Sequence, residues 1–206
     1  MIKLFAIIFM FIDHFALILL PDGKLYWIMR LLGRLSMPLY AYGIARGCYF
    51  SAKKGTFKKY LRNIGTLSLL SQIPYAFIWN EGILGHGFNI CFSWFLSVFF
   101  IGILLHKKYN NKTRLILGVV CGIVLTKMLF IGLDYGLMGV LMPICMYICF
   151  KRCFSGEFKE PLVISPLLLF GLWVENNYIE NSGGKLPQLI MLFSIPLISV
   201  LSRYDD

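Results

Sequence analysis

The chain has 206 residues, of which 58% are hydrophobic and only 15% are charged, and its mean hydropathy is +0.74. A typical soluble domain is about half apolar and a quarter charged, so this composition excludes an ordinary soluble fold. Apolar runs near twenty residues recur from end to end, and each is long enough to cross roughly 30 Å of hydrocarbon as a helix. The composition predicts an all-α, polytopic transmembrane helix bundle that forms a single integral-membrane domain over residues 1–206.

The order of apolar and polar segments predicts about eight spans, although the sixth and seventh are short and six or seven spans are also compatible with the pattern. The first run is interrupted by Asp13 and His14 and lacks a small-residue cleavage site before Pro21, so we interpret it as a span and not as a signal peptide. The expected spans cover residues 3–20, 27–50, 61–79, 88–105, 115–132, 137–150, 162–174 and 186–201.

The basic residues indicate the orientation. The formal net charge is +10, and in a membrane protein such an excess marks cytoplasmic loops and their contact with anionic lipid. With both termini in the cytoplasm, the basic segments after the second, fourth and sixth spans all lie on that side. The pattern therefore predicts a multi-pass protein of the cell (inner, cytoplasmic) membrane, with lipid as a partner and no role for nucleic acid.

The six cysteines form no CxxC pair. Cys145, Cys149 and Cys153 share one helix face by their spacing, which admits a metal site, but cysteine also packs well as a small apolar residue between helices. We expect packing, no metal and no disulfide framework. Gly43 and Gly47, spaced as Gly-x-x-x-Gly, are typical of close helix packing.

An acid and an imidazole, Asp13 and His14, lie within the first apolar run, where ionisable residues are costly and often functional. The second span begins soon after the first ends, so Arg34 is expected roughly 10 Å deep, near the level of Asp13, with Arg30 one turn shallower. Because a buried carboxylate and a buried guanidinium are each costly alone, Asp13 is expected to pair with Arg34 or Arg30. His14, about 100° around the helix, is left to act as ligand, base or proton relay.

Further polar residues fall at the same predicted depth on other spans, namely Gln72, Asn89, Lys127 and the turn residue Tyr135. Together with the first group they predict one polar cavity that opens outward. The alternative is that the charged pair only locks two helices together, as interhelical hydrogen bonds do. His86, in a glycine-rich loop, is expected to be solvated.

Short motifs follow one another in a fixed order along the first 150 residues: Ile7-x-x-Met10-x-Ile12-Asp13-His14, Gly33-Arg34-x-x-x-Pro38-Leu39-x-Ala41 with Gly43, Ser71-Gln72-Ile73-Pro74-Tyr75, Phe88-Asn89-Ile90-x-Phe92, and Asp134-Tyr135-Gly136-Leu137-x-Gly139-Val140-Leu141. This ordered set resembles the TraX family.

The resemblance implies a polytopic membrane acyltransferase that uses acetyl-CoA or another acyl-CoA as co-substrate and acetylates the amino terminus of pilin. In the wider class of membrane acetyltransferases a histidine near the start of the bundle is catalytic, and it maps onto His14. The segment 191–196 departs from the family in having no histidine.

The expected chemistry follows from that resemblance. His14 would be the general base for a peptide amine or glycan hydroxyl, and Asp13 would hold Arg34 or tune the base. Arg34, supported by Arg30 or Lys127, would stabilise the thioester oxyanion or a CoA phosphate. The acceptor would be oriented by Gln72, Asn89 and Tyr135, and Cys91 is a less favoured nucleophile. Two alternatives stay open, a proton-coupled membrane transporter and a non-enzymatic membrane assembly factor.

Overall fold

The computed structural model describes residues 1–78, 87–105, 113, 116, 132–133, 136–154, 194 and 197–198. Within these residues the regular structure is helical, and the only strand-like feature is an isolated backbone bridge between Phe88 and Leu133. The predicted all-α class is confirmed. The helices are α1 (Ile2–Leu19), α2 (Lys24–Gly33), α3 (Ser36–Lys53), α4 (Phe57–Ile78), α5 (Ile90–Leu105) and α6 (Gly136–Phe154).

Four predicted spans, 3–20, 61–79, 88–105 and 137–150, coincide with α1, α4, α5 and α6 to within four residues at each end. Over the described part of the chain, α1 is the one helix that is both long and apolar enough to cross a membrane, with a mean hydropathy of 2.2. Ile90–Ile103 and Gly139–Ile148 are shorter apolar stretches. The predicted spans 115–132, 162–174 and 186–201 lie outside the described residues, apart from a few isolated positions.

The prediction of one continuous helix over residues 27–50 is wrong, because the chain breaks between α2 and α3 at residues 34–35. The amides of Arg34 and Leu35 bond to carbonyls only three residues back, at 3.3 and 3.1 Å, which tightens and ends α2. Pro38 lies four residues after Arg34, and its ring would collide with the Arg34 carbonyl if the helix ran on. Within the first turn of α3 the same proline is tolerated.

The predicted basic loop over residues 51–60 is also wrong, since most of it is helical and only a tight corner remains between α3 and α4. Gly55 has a φ of 72°, a left-handed conformation that favours glycine. The amide of Gly55 bonds to the Ala52 carbonyl at 3.2 Å and that of Thr56 to the Ser51 carbonyl at 2.8 Å. This is a Schellman cap, and it turns the chain directly into α4.

The chain divides into two compact units, Met1–Gly43 with Arg152–Asp206, and Ile44–Lys151. In the first unit the core is formed by Ile2, Ala6 and Leu39, with Leu197 and Ile198 packed against them. In the second unit the core contains Leu96, Leu133 and Val140. The assignment of residues 1–206 to one functional domain stays a prediction.

Candidate functional site

An ion pair joins α1 to α2 within the first unit. The guanidinium of Arg30 donates from Nη1 to Oδ2 of Asp13 at 2.6 Å, and the two side chains are only 19% and 12% exposed. The prediction that Asp13 pairs with Arg34 or Arg30 is thus met by Arg30. Arg34 follows as the C-terminal cap of α2 and is half-buried at the break before α3.

Gly33 lies directly against Asp13. A Cβ built on Gly33 would overlap Cβ and Oδ1 of Asp13 and would come within 2.6 Å of its Cγ. Any side chain at position 33 would therefore push α2 away from α1 and pull the Arg30 guanidinium from the carboxylate. Sequence reasoning placed Gly33 in a motif but did not find this packing role. The other carboxylate oxygen, Asp13 Oδ1, is buried and accepts no hydrogen bond from the described residues.

His14 faces away from the ion pair. The packed face of α1 carries Ile2, Ala6, Asp13 and Ala16, whereas the His14 side chain is exposed. Its Nδ1 lies 2.9 Å from the Met10 carbonyl, one turn earlier. Since a carbonyl can only accept, Nδ1 carries the proton, and Nε2 holds the lone pair of the neutral ring. The basic nitrogen of His14 is thus Nε2, on an exposed side chain.

Gln72 and Asn89 meet in the second unit. The Gln72 Oε1 accepts from the backbone N–H and the Nδ2 of Asn89, at 3.1 and 2.8 Å. The Gln72 Nε2 donates to the Gly87 carbonyl at 2.8 Å. Both residues are buried, 4% exposed each. A buried amide needs such partners, so this pair links the end of α4 to the chain entering α5.

The same pair organises the start of α5. The Asn89 Oδ1 accepts from the backbone N–H of Cys91 at 2.8 Å, which is the N-cap interaction for a helix beginning at Ile90. Just before it, Gly87 has a φ of 85°, and a Cβ there would lie 3.0 Å from the carbonyl carbon of Gly132. The backbone N–H of Phe88 bonds to the Gly132 carbonyl at 2.8 Å. The Gln72–Asn89 pair therefore holds the backbone beside a close contact between Gly87 and Gly132 that only a glycine at position 87 permits.

The predicted site residues are divided between the two units. Asp13, His14, Arg30 and Arg34 belong to the first unit, and Gln72 and Asn89 belong to the second. Lys127, Tyr135 and His86 lie outside the described residues. Among the residues that the structure describes, no group of three or more His, Cys, Asp or Glu side chains is placed to hold a metal ion.

These features define a helical protein with an ion pair between its first two helices, of which α1 is long and apolar enough to cross a membrane. The chain belongs to the TraX family, since a family model described as TraX protein matches residues 1–203. The match continues well past residue 150, where the recognisable motifs end. No solved structure matches the chain.

Proposed function

We propose that the chain is an integral membrane acyltransferase that moves an acetyl or other short acyl group from cytoplasmic acyl-CoA to an amine or hydroxyl acceptor. A pilin-like peptide amino terminus and an envelope glycan are the acceptor classes considered. The observation that carries this proposal is the family match over residues 1–203, which includes Asp13, His14, Arg30 and Arg34. The hydrogen bond from Nδ1 of His14 to the Met10 carbonyl leaves Nε2 as the basic nitrogen of the ring, as a general base requires.

The proposed setting is the cell membrane, with about eight spans and both termini in the cytoplasm. Large apolar side chains on α1 support it, because Leu4, Ile7, Phe11 and Ile18 are between 50% and 68% exposed. Such a face is costly in water and suits lipid. The exposed lysines at the corner between α3 and α4 fit the cytoplasmic side.

In the proposed reaction, Nε2 of His14 takes a proton from the neutral amine or the hydroxyl as that group attacks the thioester carbonyl carbon. A bond forms between the acceptor atom and the carbonyl carbon, and the carbonyl oxygen becomes an oxyanion. The carbon–sulfur bond then breaks as the oxyanion collapses, and the CoA thiolate takes the proton back from His14. The products are the acylated acceptor and CoA with a free thiol.

The arginines receive different roles in this proposal. Arg30 is held by Asp13, so we assign it to positioning α2 and the residues that follow. Arg34 stabilises the oxyanion or a CoA phosphate. The supporting role expected of Lys127, and the orientation of the acceptor by Gln72, Asn89 and Tyr135, stay predictions.

The test uses purified full-length chain in lipid nanodiscs with labelled acetyl-CoA, and follows CoA release and label transfer to amine and hydroxyl acceptors. His14→Asn is the informative variant, because its amide nitrogen can still donate to the Met10 carbonyl while no base replaces Nε2. We expect at least a hundred-fold loss of turnover, the order of a lost general base. Phe11→Leu, on the same exposed face, is the matched control and should keep full activity.

Full activity of His14→Asn would refute the assignment of the base. Absence of turnover in the wild type, together with substrate flux into sealed vesicles without acyl-CoA, would favour the transporter. If variants at His14 and Arg34 kept biological function with no turnover in any protein, the assembly factor would be favoured.

A further inference from the structure

The corner between α3 and α4 carries a dense group of exposed cations: Lys53, Lys54, Lys58, Lys59 and Arg62. The chain has no acidic residue between Asp22 and Glu81, so no neighbouring carboxylate in sequence balances this charge. Like charges this close repel one another, and a nearby anion relieves that repulsion. We call these five residues the basic corner.

Four of these cations lie at helix ends, where the helix dipole acts on them. Lys53 and Lys54 lie at the C-terminal end of α3, where the helix dipole favours positive charge. Lys58 and Lys59 lie in the first turn of α4, where the dipole disfavours it. Helix stability therefore does not explain the presence of Lys58 and Lys59. An anion placed over the first turn of α4 would remove the penalty.

The exposed face of α4 changes character along its length. The helical spacing of Lys59, Arg62 and Thr66 puts them on one exposed stripe. The stripe continues with large apolar side chains that are 52–80% exposed: Leu69, Leu70, Ile73 and Phe77. At 1.5 Å per residue, Phe77 lies roughly 22 Å along the axis from Arg62, comparable to more than one leaflet of hydrocarbon.

Thr66 marks the boundary between the two parts of the stripe. Its hydroxyl donates to the Arg62 carbonyl at 3.0 Å, within the same helix. The polar group is therefore satisfied without water, although the side chain is exposed. From Thr66 onward the stripe can meet hydrocarbon without leaving a side-chain hydrogen-bond donor unpaired.

We propose that this stripe binds an anionic phospholipid. The headgroup phosphate lies against Lys58, Lys59 and Arg62, and the acyl chains follow the apolar part of the stripe toward Phe77. A soluble phosphate compound would bind to the cations, but it would not account for the apolar side chains that continue along the same face. The site is independent of the proposed acyl transfer.

The experiment titrates phosphatidylglycerol into the full-length protein in a neutral detergent and counts bound lipid by native mass spectrometry. Lys59→Gln/Arg62→Gln is compared with Lys3→Gln/Lys24→Gln, and both variants lower the formal net charge from +10 to +8. Circular dichroism verifies that each variant keeps its helix content. Removing both stripe cations should weaken the affinity roughly twenty-five-fold, at about five-fold per cation, whereas the control should change less than about two-fold.

Three results would overturn the proposal. Equal weakening in both variants would mean that only net charge matters. Phosphatidylcholine binding as tightly as phosphatidylglycerol would remove the role of the cations. Displacement of phosphatidylglycerol by inorganic pyrophosphate or acetyl-CoA in the wild type, lost in Lys59→Gln/Arg62→Gln, would assign the basic corner to a soluble phosphate ligand instead. As a separate arm, Leu70→Ser should weaken phosphatidylglycerol binding, and an unchanged lipid affinity would exclude the apolar part of the stripe.

Discussion

Replacing Arg30 by methionine removes the cation from a carboxylate that the fold keeps away from water. The Asp13 side chain is 12% exposed, and its Oδ1 already accepts no hydrogen bond from the described residues. In Arg30→Met, Oδ2 also loses the guanidinium that lies 2.6 Å away. Breaking a buried pair in this way typically costs 3–5 kcal/mol. Because the Arg30 side chain is 19% exposed, we expect about 3 kcal/mol, the low end of that range.

Asp13→Asn should also destabilise by leaving the guanidinium unpaired. The double variant Asp13→Asn/Arg30→Met buries no charge and should recover part of the loss, with a coupling energy of about 2 kcal/mol.

The assay is thermal unfolding in detergent micelles at neutral pH, followed by tryptophan fluorescence. At about 2–4 °C per kcal/mol for a chain of this size, the Arg30→Met midpoint should fall by roughly 6–12 °C at neutral pH. A fall below about 2 °C, or additive single effects in the double variant, would refute the view that the pair holds α2 against α1.

Three further predictions use the same assay. Gly33→Ala should lower the midpoint by about as much as Arg30→Met, because its methyl group would overlap Asp13. In the control Gly43→Ala the new methyl group meets no described atom within 4 Å, so this variant should be neutral or slightly stabilising. Asn89→Ala should cost about 1–2 kcal/mol through the lost cap, and Asn89→Ser, which keeps a capping oxygen, should cost less. Gly87→Ala should cost more than about 2 kcal/mol, since it combines a left-handed φ with a close backbone contact, and a neutral result would contradict the described crossing.

Hydropathy predicted α1 and α5 closely because a long apolar run has sharp polar ends. It could not find the break before α3, since residues 27–50 are apolar on both sides of it and average hydropathy does not register a local turn. Pro38 fits the break, because its ring would clash with a helical carbonyl at Arg34. A proline alone does not locate a break, however, since α4 and α6 continue through Pro74 and Pro143.

The candidate site was predictable in part. Counting residues from the short connection between the first two helices predicted that Asp13 and two arginines lie at similar depths in the membrane. They could not choose Arg30 over Arg34, since that choice depends on the rotation of α2 and on the contact at Gly33. Gln72 and Asn89 were expected at one level, but nothing in two isolated amides indicates that they bond to each other.

The hydrogen bond from His14 to the Met10 carbonyl also bears on how the imidazole cycles between its two states. The neutral ring and the imidazolium both carry a proton on Nδ1, so this bond is present in each. Proton uptake and release therefore occur at Nε2 alone and require no ring flip or change of rotamer. In the proposed transfer, Nε2 therefore both takes the proton from the nucleophile and returns it to the leaving thiolate.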